Sequence, residues 1–146
     1  NEQLANLKQY KGFGGTKELP GSEQSADRFV RAARYLGSLP KPANKRETVA
    51  YLMSVMRNIS APFGVSDPLR PNISTTRWRT VADLTSKVYY FESTTSPNVI
   101  WVSLDRLRLN DGNPVLKLDL VNNPDRVGDV SGQFRESTPL GFKKGK

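Results

Sequence analysis

The chain has 146 residues, 36% apolar and 25% charged, with 22 basic side chains against 14 acidic ones and a formal net charge of +8, proportions that suit an ordinary globular domain with a core of its own. It contains no histidine and no cysteine, which excludes histidine triads and proton shuttles, histidine or thiolate metal centres and disulfides among these residues. Negative mean hydropathy and the lack of a long apolar run exclude a transmembrane helix, and the first residues do not read as a secretion signal.

Residues Glu2 to Gln9 read as a short helix, capped by Asn1 and ended by the glycine-rich Lys11-Gly-Phe-Gly-Gly-Thr16. That glycine run lacks the strand-to-helix setting and the lysine-hydroxyl ending of a phosphate loop, so it reads as a flexible turn. From Ser25 to Leu36, the spacing of Phe29, Val30, Ala33 and Leu36 predicts an amphipathic helix stopped by Gly37 and Pro40. Its arginines Arg28, Arg31 and Arg34 are expected on the solvated or subunit-facing side. A second amphipathic helix opens at Asn44, where Glu47 completes a capping box, and buries Val49, Leu52, Met53 and Met56.

Ala61-Pro-Phe-Gly and Asp67-Pro-Leu-Arg-Pro71 then form a proline-punctuated connection that is neither helix nor central strand. Ile73 to Ala82, Lys87 to Ser93, Asn98 to Leu104 and Val115 to Leu120 are rich in Val, Thr, Tyr, Phe and Trp and are separated by turn clusters at Ser96-Pro97 and Asn110-Asp-Gly-Asn-Pro114. They predict an antiparallel meander. Helices first and strands next give an α+β class, helices layered on an antiparallel sheet. The reading is a single domain over 1–146: helical over 1–58, antiparallel strands over about 73–120 and an extended C-terminal arm over 121–146.

The segment Asn72-Ile-Ser-Thr-Thr-Arg-Trp-Arg-Thr-Val-Ala-Asp-Leu84, followed by Lys87-Val-Tyr-Tyr-Phe-Glu-Ser-Thr94, reads as a hairpin. On its first strand Arg77 and Arg79 point one way and Trp78 the other. Two adjacent cations call for something anionic or strongly dipolar nearby, and a surface salt bridge is the plainer alternative. Asp83, Glu92, Asp105, Asp111 and Asp119 fall on turns and strand ends, where acids cap or stay solvated, and nothing orients two of them as a catalytic pair. Asn110-Asp-Gly-Asn has too few oxygens at defined spacing for a calcium or magnesium site. Trp78, Trp101, Tyr89, Tyr90 and Phe91 could line an aromatic pocket, although core packing is the usual fate of such residues in strands. The sequons Asn58-Ile-Ser60 and Asn72-Ile-Ser74 carry no functional weight here.

Basic residues are scattered from Lys8 to Lys117 among the acids, and the one dense run, Lys143-Lys-Gly-Lys146, reads as a solvated tail. No recognition helix, zinc finger or aromatic-basic RNA motif is visible. A non-enzymatic basic module holding an acidic partner remains the alternative from another functional class.

Taken with Glu2-Gln-Leu-Ala-Asn-Leu-Lys-Gln-Tyr10, Phe13-Gly-Gly-Thr16, Ala26-Asp-Arg-Phe-Val-Arg31, Ser54-Val-Met-Arg-Asn58, Pro62-Phe-Gly64 and Lys117-Leu-Asp-Leu120, the hairpin segment resembles the choloylglycine hydrolase family of N-terminal-nucleophile amidases. That family includes penicillin V acylases and bile salt hydrolases, and the likeness is greatest to its Gram-negative branch. The resemblance implies an αββα sandwich with two antiparallel sheets. It also implies a nucleophilic cysteine at the start of the mature chain, whose own α-amine serves as base, and a catalytic arginine that falls on Arg77 or Arg79.

With no cysteine, and with Asn1 at its head, this sequence resembles only the C-terminal part of such an enzyme. Asn1 is not assigned to the family's oxyanion asparagine, which falls just upstream of the segment matched by Glu2 to Tyr10. The expected partners are an N-terminal portion of the same enzyme carrying the N-terminal cysteine and a small amide substrate, in a homo-oligomer of the completed enzyme, with no cofactor, metal, nucleic acid or membrane. Penicillin V, conjugated bile salts and acyl-homoserine lactones are the candidate substrates, and the Gram-negative likeness implies a periplasmic location.

Overall fold

The computed structural model describes residues 2–64, 69 and 75–141, with only the backbone of 2–4. The cap expected at Asn1, most of the Asp67-to-Pro71 connection, the start of the first expected strand at Ile73, the sequon at Asn72 and the basic tail from Lys143 lie outside the described residues. The chain forms two compact units, one up to Arg79 and one from Thr80.

The first unit carries α1 (Glu2–Leu7), α2 (Ser25–Leu36) and α3 (Lys45–Asn58). Helix α3 begins where Asn44 Oδ1 accepts the Glu47 backbone N–H at 3.0 Å. The Glu47 carboxylate reaches back to the Ala43 N–H at 2.8 Å, one residue earlier than a strict capping box requires. Met53 and Val55 are buried in α3, while Val49, Leu52 and Met56 are half-buried.

Helix α2 departs from the simple amphipathic reading. Val30 is buried, but Phe29 and Leu36 stay 40% and 48% exposed, whereas Arg31 is buried. Arg31 Nη1 donates to the Pro20 carbonyl at 3.0 Å and to the Ser22 carbonyl at 2.8 Å, so this arginine fastens the preceding loop to the helix instead of facing water. Arg28 likewise reaches the Ile59 carbonyl beyond α3 through its Nε at 2.5 Å. Carbonyl acceptors offset part of the cost of burying a guanidinium, and a pattern of apolar spacing does not register them.

The glycine run is a closed loop, not a slack turn. Its neck is zipped by Lys11 N–H to the Lys17 carbonyl at 2.8 Å and Lys17 N–H to the Gln9 carbonyl at 2.9 Å. A β-carbon on Gly15 would sit 2.1 Å from the Gln9 carbonyl oxygen, and one on Gly12, where φ is +88°, would meet the Arg34 guanidinium at 2.5 Å. Glycine is needed at Gly15 because backbone lies where a side chain would start, and at Gly12 because its φ is in the region that side chains rarely adopt.

The second unit is built on a sheet of order β1 (Trp78–Asp83), β2 (Val88–Ser93), β3 (Val99–Ser103) and β5 (Gly128–Asp129). β2 and β3 pair antiparallel, with Tyr89 opposite Val102, Tyr90 opposite Trp101 and Phe91 opposite Ile100. Opposed residues share a face, so Ile100 and Val102, both buried, lie with Tyr89 and Phe91, while Tyr90 and Trp101 pair on the other side with ring centroids 5.9 Å apart and planes tilted by 40°.

The fourth expected strand goes elsewhere. After β3 the chain makes a 3-10 turn at Leu104–Arg106, and β4 (Val115–Lys117) leaves the sheet to pair antiparallel with β6 (Arg135–Ser137). Its place beside β3 is taken by β5, in parallel. The stretch read as an arm therefore contains β5, a second 3-10 turn at Ser131–Gln133 and β6, with Val130 only 1% exposed. Sequence spacing identified a strand at Val115 but not its partner, because three residues offer little register information.

A carboxylate organises this corner. Asp129 Oδ1 accepts the Ser131 hydroxyl at 2.6 Å and the Ser131 N–H at 2.9 Å, and Oδ2 accepts Arg106 Nη1 at 2.6 Å. Chiefly through the Ser131 hydroxyl and N–H, with Arg106 assisting, its pKa is held below the ordinary 3.8; Asp119 is lowered likewise by Asn122. Because the folded pKa lies under the unfolded one, the stabilisation is fully present above about pH 4 and is lost as pH falls through the folded value. The protection of amides at residues 129–133, taken relative to the intrinsic exchange rate at each pH, is therefore expected to fall on acidification below about pH 4. In Asp129→Asn, protection there should be lower already at neutral pH and should respond less to acid; wild-type protection factors indifferent to acid would contradict this.

Candidate functional site

Of the two arginines, Arg77 and Arg79, one of which is expected to carry chemistry, Arg79 lies where the first unit ends. Ser60, just beyond α3, donates its hydroxyl to the Met56 carbonyl at 2.7 Å and accepts Arg79 Nε at 2.7 Å. The next residue, Ala61, is buried and exchanges two bonds with Thr76: its N–H reaches Thr76 Oγ1 at 2.9 Å, and its carbonyl accepts the Thr76 N–H at 3.0 Å. These bonds fasten the approach to β1 onto the end of α3 and aim Arg79 from a half-buried position. A guanidinium gripped through Nε keeps its direction, and its fork has further donors beyond that one.

Arg77 is placed differently. It precedes β1, is exposed, and lies with Cζ 6.0 Å from the ring centroid of Phe63, itself 52% exposed. The strand expected to carry both arginines begins only at Trp78, so the two do not form a matched pair on one regular strand. Trp78 is 60% exposed and is not a core residue.

The other candidates sort by their contacts. Asp83 accepts the Ser86 N–H at 3.0 Å and closes the hairpin turn. Asp105 pairs with Lys87 at 3.0 Å on the surface. Asn110 to Asn113 is a turn, with the Asn113 N–H on the Asn110 carbonyl at 3.2 Å. Glu92 is the exception, a strand carboxylate only 5% exposed. Among the described residues no buried side-chain nitrogen or oxygen lacks a hydrogen-bond partner, so Glu92 is satisfied within the fold. Sequence reasoning placed it at a strand end. The one available signal was its position in the otherwise aromatic run Tyr89-Tyr-Phe91. Of the aromatics, Tyr89, Phe91 and Trp101 line an apolar recess of about 220 Å³ with Ile100, Leu120 and Phe134.

Comparison with known proteins decides the family. A family model described as linear amide C–N hydrolases, choloylglycine hydrolase family, matches residues 2–117. The chain belongs to this family. Within it, a penicillin V acylase of Pectobacterium atrosepticum is 38% identical over 157 residues, covering 97% of this chain and 42% of that protein. The solved structure of penicillin V acylase from Agrobacterium tumefaciens superposes on this choloylglycine hydrolase family member with a TM-score of 0.80 at 41% identity, over 97% of this chain and 46% of that one. The chain thus spans less than half the length of the relatives it matches, and the expected α+β class and family fold hold.

Proposed function

We propose that this chain is the C-terminal portion of a cysteine N-terminal-nucleophile hydrolase that cleaves linear amides in the manner of a penicillin V acylase. In this reading the nucleophile lies outside these residues, none of which is a cysteine, and Arg79 is the pocket arginine. Likeness over nearly the whole chain to a penicillin V acylase structure is the observation that carries the reading.

In the reaction so assigned, the cysteine sulfur attacks the amide carbonyl carbon while the cysteine's α-amine takes the thiol proton. The amine product leaves with that proton, and water then releases the acyl group from the thioester. A fixed guanidinium near the sulfur favours thiolate over thiol and adds positive potential where the carbonyl oxygen becomes negative. Arg79 suits this role better than Arg77 because Ser60 fixes its direction, whereas Arg77 sits over an exposed ring. The completed enzyme is proposed to be periplasmic and homo-oligomeric, with penicillin V the first substrate to try and conjugated bile salts and acyl-homoserine lactones after it.

Mass measurement tests the arrangement. Under denaturing conditions the active material should yield a cysteine-initiated sequence, either on a second polypeptide or on one containing this chain, and under native conditions both in one particle. Activity in material lacking any N-terminal cysteine would overturn the reading.

A further inference from the structure

The two ends of the four-stranded sheet are finished differently. At one end β5 is two residues long, begins at Gly128 with a φ of +82°, and is closed off by the bonds of Asp129 to Ser131 and Arg106. So short a strand, flanked by a turn and an ion pair, offers no template for a further strand. At the other end stands β1, six residues from Trp78 to Asp83 with no proline, glycine or lysine and no positive φ. Nothing in it bends or blunts the edge.

Its side chains tell the same story. Arg79 and Asp83 are half-buried and engaged locally, by Ser60 and by the Ser86 N–H, so neither serves as an exposed rim charge. Val81 is 8% exposed although it sits on the outermost strand, and Trp78 leaves 60% of its surface open. Long, flat edges without such guards recruit other strands, and natural sheets keep them for the interior. The chain covers 42% of one relative and 46% of another, so in each of them enough polypeptide for further strands lies beyond the shared stretch. A second copy is the poorer occupant, since each copy brings a formal charge of +8 and like net charge opposes self-association.

We propose that the outer edge of β1 seats an extended strand from the N-terminal portion of the same protein, which makes β1 an interior strand of a larger sheet. The inference rests on the reading of this chain as a C-terminal portion, and it says where main-chain hydrogen bonds join the two portions.

Residue-resolved hydrogen exchange on the complete protein tests it. An edge strand is bonded through alternate residues only, whereas an interior strand uses every N–H. All amides from Arg79 to Ala82 should therefore be protected as well as those of β2 and β3. Alternation, with every second amide of β1 as fast as the exposed turns, would overturn the proposal. The photo-crosslinker p-benzoylphenylalanine in place of Trp78 then identifies the neighbour, and crosslinks should reach residues upstream of Asn1 in the same molecule. Crosslinks between copies that grow with protein concentration would overturn it. Penicillin V hydrolysis by the same preparation separates the two readings. An active enzyme with alternating exchange refutes the edge pairing alone, whereas an inactive protein with uniform protection and upstream crosslinks supports the pairing and counts against the amidase reading. The wild-type exchange pattern decides the matter even if position 78 does not tolerate the substitution.

Discussion

Replacing Arg79 with alanine in the complete hydrolase is expected to lower kcat/KM for a linear amide by about 10²–10³-fold, the usual consequence of deleting a preorganised group beside developing charge. Thermal stability should fall far less, because one partner of Arg79 is the hydroxyl of Ser60, which keeps its bond to the Met56 carbonyl. Arg79→Lys should recover little. A lysine ammonium is a point charge on a flexible stem and cannot both hold Ser60 through an Nε and present a planar fork. Arg77→Ala should lower kcat/KM far less than Arg79→Ala, since Arg77 is exposed and lies ahead of β1 instead of being held by Ser60. Steady-state kinetics and thermal denaturation on the same preparations separate the two roles. If Arg79→Ala lost activity and stability in equal measure, the arginine would be a structural tie between α3 and β1.

Ile100→Ala is expected to be the most damaging of the conservative core truncations, at about 2–5 kcal/mol. Ile100 is 7% exposed on β3, opposite Phe91 on one neighbour and beside Gly128 on the other. Shortening it leaves a cavity where β2, β3 and β5 meet, and the parallel β3–β5 pairing that takes the place of the expected fourth strand depends on that junction. Denaturant unfolding checks this, with Val121→Ala as the comparison, since Val121 is 88% exposed and should shift stability by less than about 0.5 kcal/mol. Equal midpoints for the two variants would show that the sheet is not centred on β3.

What the sequence made legible follows from which forces are local. The ends of α2 and the Asn44 cap were readable because capping and helical periodicity act within four residues. The β2–β3 pairing was readable because a short turn leaves few alternatives. The burial of Arg31 was not, since its partners are the carbonyls of Pro20 and Ser22, and backbone acceptors leave no trace in a side-chain pattern. The parallel seat of β5 was hidden for the opposite reason: Gly128-Asp129 is too short to look like a strand and is held by the contacts of Val130 and Ser131 around it. Arg77 and Arg79 were readable as a pair by alternation alone, but β1 starts only at Trp78, and the Thr76–Ala61 bonds give the two arginines separate surroundings.

The most direct measurement is a product assay: the complete protein carrying this chain is incubated with penicillin V, and the products are identified by mass. The predicted result is phenoxyacetate and the free amine of the β-lactam nucleus in equal amounts, with the ring intact. A folded, cysteine-initiated protein that leaves penicillin V, conjugated bile salts and acyl-homoserine lactones all uncleaved, or that opens the lactam ring instead of the side-chain amide, would contradict the account.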